Sequence, residues 1–221
     1  MNYLQDLNEL QAILQRADLL RAWHRSNVYP LQNGTTKVEF GARIGVRSDQ
    51  HARPGGVAFS DAEIELDLSL GEGEGIDRIQ QCSAQVTIEG MNEASEVFVY
   101  ALHFDRHDMT QESIELHSQY HWQVGGDRLE AQNFGTLLQL QGPRFPYHPI
   151  DPALLVDFVL GQFNGHKRSE LMSEANFIRY PRILYKSQSR FVVPFFNAVQ
   201  AAFNSNPIAQ SPMWPAICLE A

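Results

Sequence analysis

The chain has 221 residues, enough for one large domain or two small ones with a substantial core, and its 43% hydrophobic and 19% charged residues are ordinary globular values. A formal net charge of −9 argues against a general nucleic-acid binder, whose footprint is basic, and two cysteines, Cys82 and Cys218, exclude both a disulfide framework and a cysteine-based zinc site. No apolar run approaches the ~18 residues that cross a bilayer and no basic-then-apolar leader opens the chain, so the expectation is a cytoplasmic protein without membrane contact.

Leu4 to Trp23 reads as an amphipathic helix, with Leu4, Leu7, Leu10, Ile13, Leu14, Leu20 and Trp23 on its apolar side. Asn33-Gly34 signals a turn, and Lys37 to Ile44 is strand-like. Arg47 to Gly56, with His51, reads as an exposed loop. Ala62 to Leu70 alternates: Ile64, Leu66 and Leu68 point one way, and Glu63, Glu65 and Asp67 the other. Three carboxylates on one strand face offer oxygen ligands for a hard cation, although a solvated acidic face needs no ligand. Gly71 to Gly75 is a turn whose glutamates would repel phosphate. Ala84 to Glu89 and Glu96 to Asp105 are further strands. On the second of these, Phe98, Tyr100, Leu102 and Phe104 share one face. Val97, Val99 and His103 share the other, which the valines imply is partly covered, as by a helix.

From Ile114 to Val124 the alternation returns, with Tyr120 and Trp122 on one side and His117, Gln119 and His121 on the other. Gly125-Gly126-Asp127 supplies a hairpin turn, and Phe134 to Gln141 the return strand. Gly142 to Pro149 holds three prolines, which favour a rigid corner over a sheet ladder. Asp151 suits an N-cap and Pro152 the first helical position. Leu154, Leu155, Phe158, Val159 and Phe163 then recur at helical spacing, with Gly165 as a C-terminal cap. Asn164 to Arg168 reads as a loop and Ser169 to Tyr180 as a helix ending before Pro181. Ile183 to Asn204 reads as a helix bent or restarted at Pro194, and residues from Ser205 onward as an irregular tail.

Three places hold chemistry. His117 and His121 share a strand face about 13 Å apart at Cα, given a rise of ~3.3 Å per residue, which is too far for joint ligation of one metal. They remain candidates for separate general acid and base roles. The proline-rich corner offers Arg144, Tyr147 and His148 for binding, with the Arg144 fork suited to carboxylate or phosphate. A basic and aromatic cluster contains Arg179, Arg182 and Lys186. From Arg144 through Arg190 there are seven Lys or Arg against four Asp or Glu, a surplus that would meet phosphate, nucleic-acid backbone or an acidic protein, or would balance acidic faces of the same molecule. No nucleophile elbow, dinucleotide fingerprint or zinc-protease motif is present.

The pattern His117-x-x-x-His121-x-x-x-Gly125, Pro143-Arg144-x-Pro146 and Asp157-Phe158-Val159-Leu160-x-x-Phe163 resembles a group of short uncharacterised bacterial proteins. The resemblance covers the central part of the chain. It implies a bacterial or phage source and a soluble α+β domain, and brings no activity with it.

Strands in the middle and helices at both ends argue for a single α+β domain over 1–221. It would comprise an N-terminal helix within 1–25, one antiparallel sheet within 28–141, C-terminal helices within 151–204 packed on one side, and a tail over 205–221. The expected function is an accessory or binding protein acting through a protein partner, self-association or a local nucleic-acid contact, with no cofactor and no metal. The alternative is a hydrolase or nuclease on a phosphate-containing substrate, with His117 and His121 as acid and base and Arg144 and Arg182 stabilising charge.

Overall fold

Seven antiparallel strands follow one another across a single sheet in chain order, so every neighbour in sequence is a neighbour in space. The computed structural model describes residues 3–32, 34–47, 56–72, 78–106, 119–125 and 144–205. The strands are β1 (Leu20–Pro30), β2 (Thr36–Gly45), β3 (Asp61–Leu70), β4 (Ile79–Met91), β5 (Val97–Arg106), β6 (Tyr120–Val124) and β7 (Arg144–Pro146). The helices are α1 (Tyr3–Arg16), α2 (Pro152–Phe163), α3 (Gly165–Ser173), α4 (Arg179–Ser187) and α5 (Val193–Ser205). A 3-10 turn, Ala175–Phe177, precedes α4 and a π turn, Gln188–Val192, joins α4 to α5. The α+β class, the antiparallel sheet and the helices at both ends are as the sequence implies. Among the described residues, no helix is long and apolar enough to cross a membrane.

The alternation of β3 dictates the two faces. Ala62, Ile64, Leu66 and Leu68 are buried, and in register with them stand Val38, Phe40, Ala42 and Ile44 on β2 and Cys82, Ala84, Val86 and Ile88 on β4. This inner face receives Leu7, Leu10, Ile13 and Leu14 of α1 and Leu155, Val156, Val159 and Leu160 of α2 in one continuous core. The aromatic end of that core is built by β5 and β6: Phe104 lies 5.1 Å from the Trp122 ring, which stacks on Phe158 of α2 at 4.5 Å. Tyr120 meets Phe195 of α5 edge-on at 5.7 Å. Paired rings of this kind contribute beyond their area alone.

Several boundaries depart from the sequence reading, each for a physical reason. The helix expected to Trp23 ends at Arg16; Leu20 and Trp23 belong to β1. Strand β1 carries two β-bulges, between Leu20 and Ala22 and between Trp23 and Arg25, and each extra residue breaks the period of two. Its burial therefore recurs every third residue and imitates a helix. The proline corner, expected to leave the sheet, contributes β7, in which Pro146 faces His121 of β6. As the last strand of the described sheet, β7 tolerates a residue without an N–H donor. Asn164 rather than Gly165 caps α2, its N–H donating to the Leu160 carbonyl, and Gly165 opens α3 in place of the expected loop. Helix α4 runs through Pro181, which sits in its first turn, where backbone N–H groups have no partner to lose. The restart at Pro194 is observed at the start of α5. On the face expected to be partly covered, Val99 is part-buried and Val97 63% exposed; among the described residues no helix lies over them, and the described helices pack on the opposite face.

His51, His117, the return strand expected over Phe134 to Gln141, and the tail from residue 206 lie outside the described residues.

Candidate functional site

The outer face of the sheet is polar and, among the described residues, open. Parity along β1–β5 places seven carboxylates on it (Glu39, Asp61, Glu63, Glu65, Asp67, Glu89 and Asp105) against four described Arg or Lys side chains, Arg21, Arg25, Lys37 and Arg43. Charge of both signs is thus sorted by row. Near the β1–β2 turn, Glu39 is held by three donors: Arg25 at 2.7 Å, Tyr29 Oη at 3.0 Å and Asn27 Nδ2 at 3.1 Å. The Arg25 hydrogen bond, followed by that from Asn27, depresses the Glu39 carboxyl to about 2. Arg25 also reaches Asp67 at 3.0 Å. Of the three carboxylates read on β3, Asp67 is therefore committed to a salt-bridge network.

Glu63 and Glu65 take part in a different arrangement. His24 is the residue inserted by the second bulge of β1, and its ring leans across β2 at Gly41. A Cβ at Gly41 would stand 2.9 Å from both Cδ2 and Nε2 of that ring, so only glycine leaves the passage open. Beyond it, His24 Nε2 lies 2.8 Å from Glu63 Oε1, and one donor atom from each of His24, Glu63 and Glu65 falls within 4.8 Å of the others. This is a nitrogen-and-oxygen set able to hold a metal ion. Sequence reasoning passed over His24; the available signal was an isolated glycine inside a strand pattern.

Next to this cluster the outer face hollows into an open concavity of 690 Å³. Arg43, Asp61, Glu63, Thr87 and Glu89 form its floor, and the exposed Met91 and Val97 its apolar rim. One wall is the segment at 57–60, which runs beside the end of β4; a Cβ at Gly90 would stand 2.6 Å from Val57. The Ala58–Met91 bridge fixes that wall by two backbone hydrogen bonds of 2.9 Å.

Among the described residues, the sequence-predicted ones lie in separate places. His121 stands on the outer face but is 5% exposed, beside Asp105 on β5 and Pro146 on β7. The Arg144 backbone pairs with Gln123 in β7. Tyr147 turns inward, its ring 5.8 Å from Phe158 and 4.2 Å from His148. His148 is half-buried, burial lowers its pKa, and its Nδ1 lies 2.8 Å from the Pro149 carbonyl. Tyr147 and His148 thus pack against the core rather than standing open.

Arg179, Arg182 and Lys186 lie on α4, on the helical side of the sheet and apart from His121. Much of the basic surplus there is neutralised internally. Arg168 grips Asp157 through two bonds of 2.7 and 2.9 Å, Lys167 pairs with Glu170 at 2.8 Å, and Arg179 with Glu9 at 3.3 Å. Lys186 and Arg190 both bond Asp6 of α1, at 3.0 and 2.6 Å. Burial alone would raise the Asp6 pKa; the two cations overcome it and hold the carboxyl below its usual range. Arg182 is exposed.

Two buried groups are structural. Asp151 caps α2, accepting from the Leu154 N–H at 3.0 Å, and burial raises its pKa. The Cys82 thiol donates to the Ile150 carbonyl at 3.4 Å, and burial pushes it up to about 12, so it is inert. No family model, curated protein or solved structure matches this chain.

Proposed function

We propose that the chain is a binding protein that engages a basic, partly apolar protein segment in the concavity on the open face of its sheet. The observation that supports this reading is the asymmetry of the sheet among the described residues: their five helices lie on one side, while the other side presents a hollow floored largely by carboxylates and rimmed by apolar side chains. An acidic floor attracts Arg and Lys, while exposed Met91 and Val97 give apolar residues of a ligand somewhere to bury. A nucleic-acid backbone fits this face poorly, because like charges would oppose it. The role is accessory, exercised in solution through a partner rather than through a reaction.

A fluorescein-labelled peptide rich in Arg and Leu tests the reading against a labelled single-stranded oligonucleotide of similar length. The peptide should bind the full chain, bind less tightly as salt rises, and lose roughly tenfold or more in affinity when Asp61→Lys and Glu89→Lys are combined. Preference for the oligonucleotide, or peptide binding that ignores the charge reversal, contradicts the reading.

A further inference from the structure

We infer that His24, Glu63 and Glu65 form a binding site for one divalent first-row transition ion of the zinc class. The inference stands apart from the peptide reading, since the ion is its own ligand. The chemistry of the donors comes first. One imidazole nitrogen and two carboxylate oxygens, all within 4.8 Å of one another, can face a common point, as three protein ligands do around ions that keep further positions for water. An imidazole in the set selects against magnesium, which prefers oxygen ligands and keeps its water.

The backbone supplies the second argument. His24 would not reach β3 from a regular strand: Gly41 stands between, with Arg25 paired to it on one side and Glu65 on the other. The bulge at His24 inserts the extra residue, and the missing side chain at Gly41 leaves the space through which the ring passes. Bulges often re-aim a side chain in this way. Two separate departures from regular strand structure thus serve one convergence. Arg43 Nε lies 3.5 Å from Glu63 Oε2, but that side chain is 54% exposed and free to swing away.

The test is a zinc titration of the full chain by calorimetry, with bound metal counted after dialysis. One zinc per chain is expected, with magnesium in excess failing to displace it. His24→Ala, Glu63→Gln and Glu65→Gln should each lower zinc affinity by about tenfold or more. Gly41→Ala should do the same although it removes no donor. Asp67→Asn, whose carboxylate is held by Arg25, should leave affinity unchanged. Zinc should also raise the melting temperature of the wild type and fail to raise that of His24→Ala. His24 is an exposed position, so that variant reports on binding even if Gly41→Ala does not fold. Absence of stoichiometric zinc binding, or binding equally tight in His24→Ala, overturns the inference; in either case the peptide titration still stands or falls on its own.

Discussion

The two faces of this one sheet obey different rules. On the inner face, Phe40, Ile64, Leu66 and Phe104 are almost wholly buried against α1, α2 and α5, and each holds its place by shape. On the outer face, a few residues' width away through the same strands, side chains hold their places by charge, and the described residues leave the concavity uncovered. The difference teaches where stability and freedom to evolve a function reside. A packed face forfeits several kcal/mol for any change of volume, whereas an open charged face tolerates substitution and can therefore be shaped by a ligand.

Substitutions graded across the sheet sharpen that contrast. The largest effect is expected on the inner face: Phe104→Ala removes a ring that meets Trp122, Tyr120 and Tyr147, and chemical denaturation should show a loss of about 4 kcal/mol. Next is the clasp between α1 and the junction of α4 with the π turn that follows it. Asp6→Ala leaves Lys186 and the partly buried Arg190 without their acid and should cost about 2–3 kcal/mol by the same measurement.

Glu39→Gln is smaller, about 1–2 kcal/mol, because three donors lose a charged acceptor near the surface. It also has a pH signature. The folded Glu39 carboxyl is depressed to about 2 from an ordinary 4.5, so its contribution is complete above about 4.5 and disappears as the pH falls toward 2. The wild type should therefore lose stability more steeply than Glu39→Gln across that window in acid denaturation. The smallest effect is expected at Glu89→Lys on the open face: within about 0.5 kcal/mol in stability, yet with weakened binding of a basic peptide.

The inner face was the legible one. Strand β3 follows from its alternation, and Asp151 with Pro152 marks the start of α2, because a period of two and a capping residue are local properties. The illegible parts each depend on something non-local or irregular. Strand β1 was hidden because two bulges turn its burial pattern toward a period of three, so Leu20 and Trp23 read as the end of the preceding helix. Strand β7 was hidden by prolines that only the last strand of a sheet accepts. His24 could not be linked to Glu63 because register, not sequence distance, brings them together; only Gly41 hinted at a close approach. The basic run ending at Arg190 gave no sign that Asp6, from the far end of the chain, would neutralise part of it.

The most direct test of a working open face is carbodiimide labelling of carboxylates, read residue by residue by mass spectrometry, with and without the Arg- and Leu-rich peptide. Protection of Asp61, Glu63 and Glu89, with Glu170 and Glu174 of the helical side labelled as before, is the expected result. Protection confined to the helical side, or none at the concavity while the peptide is bound, would contradict the assignment of function to the outer face.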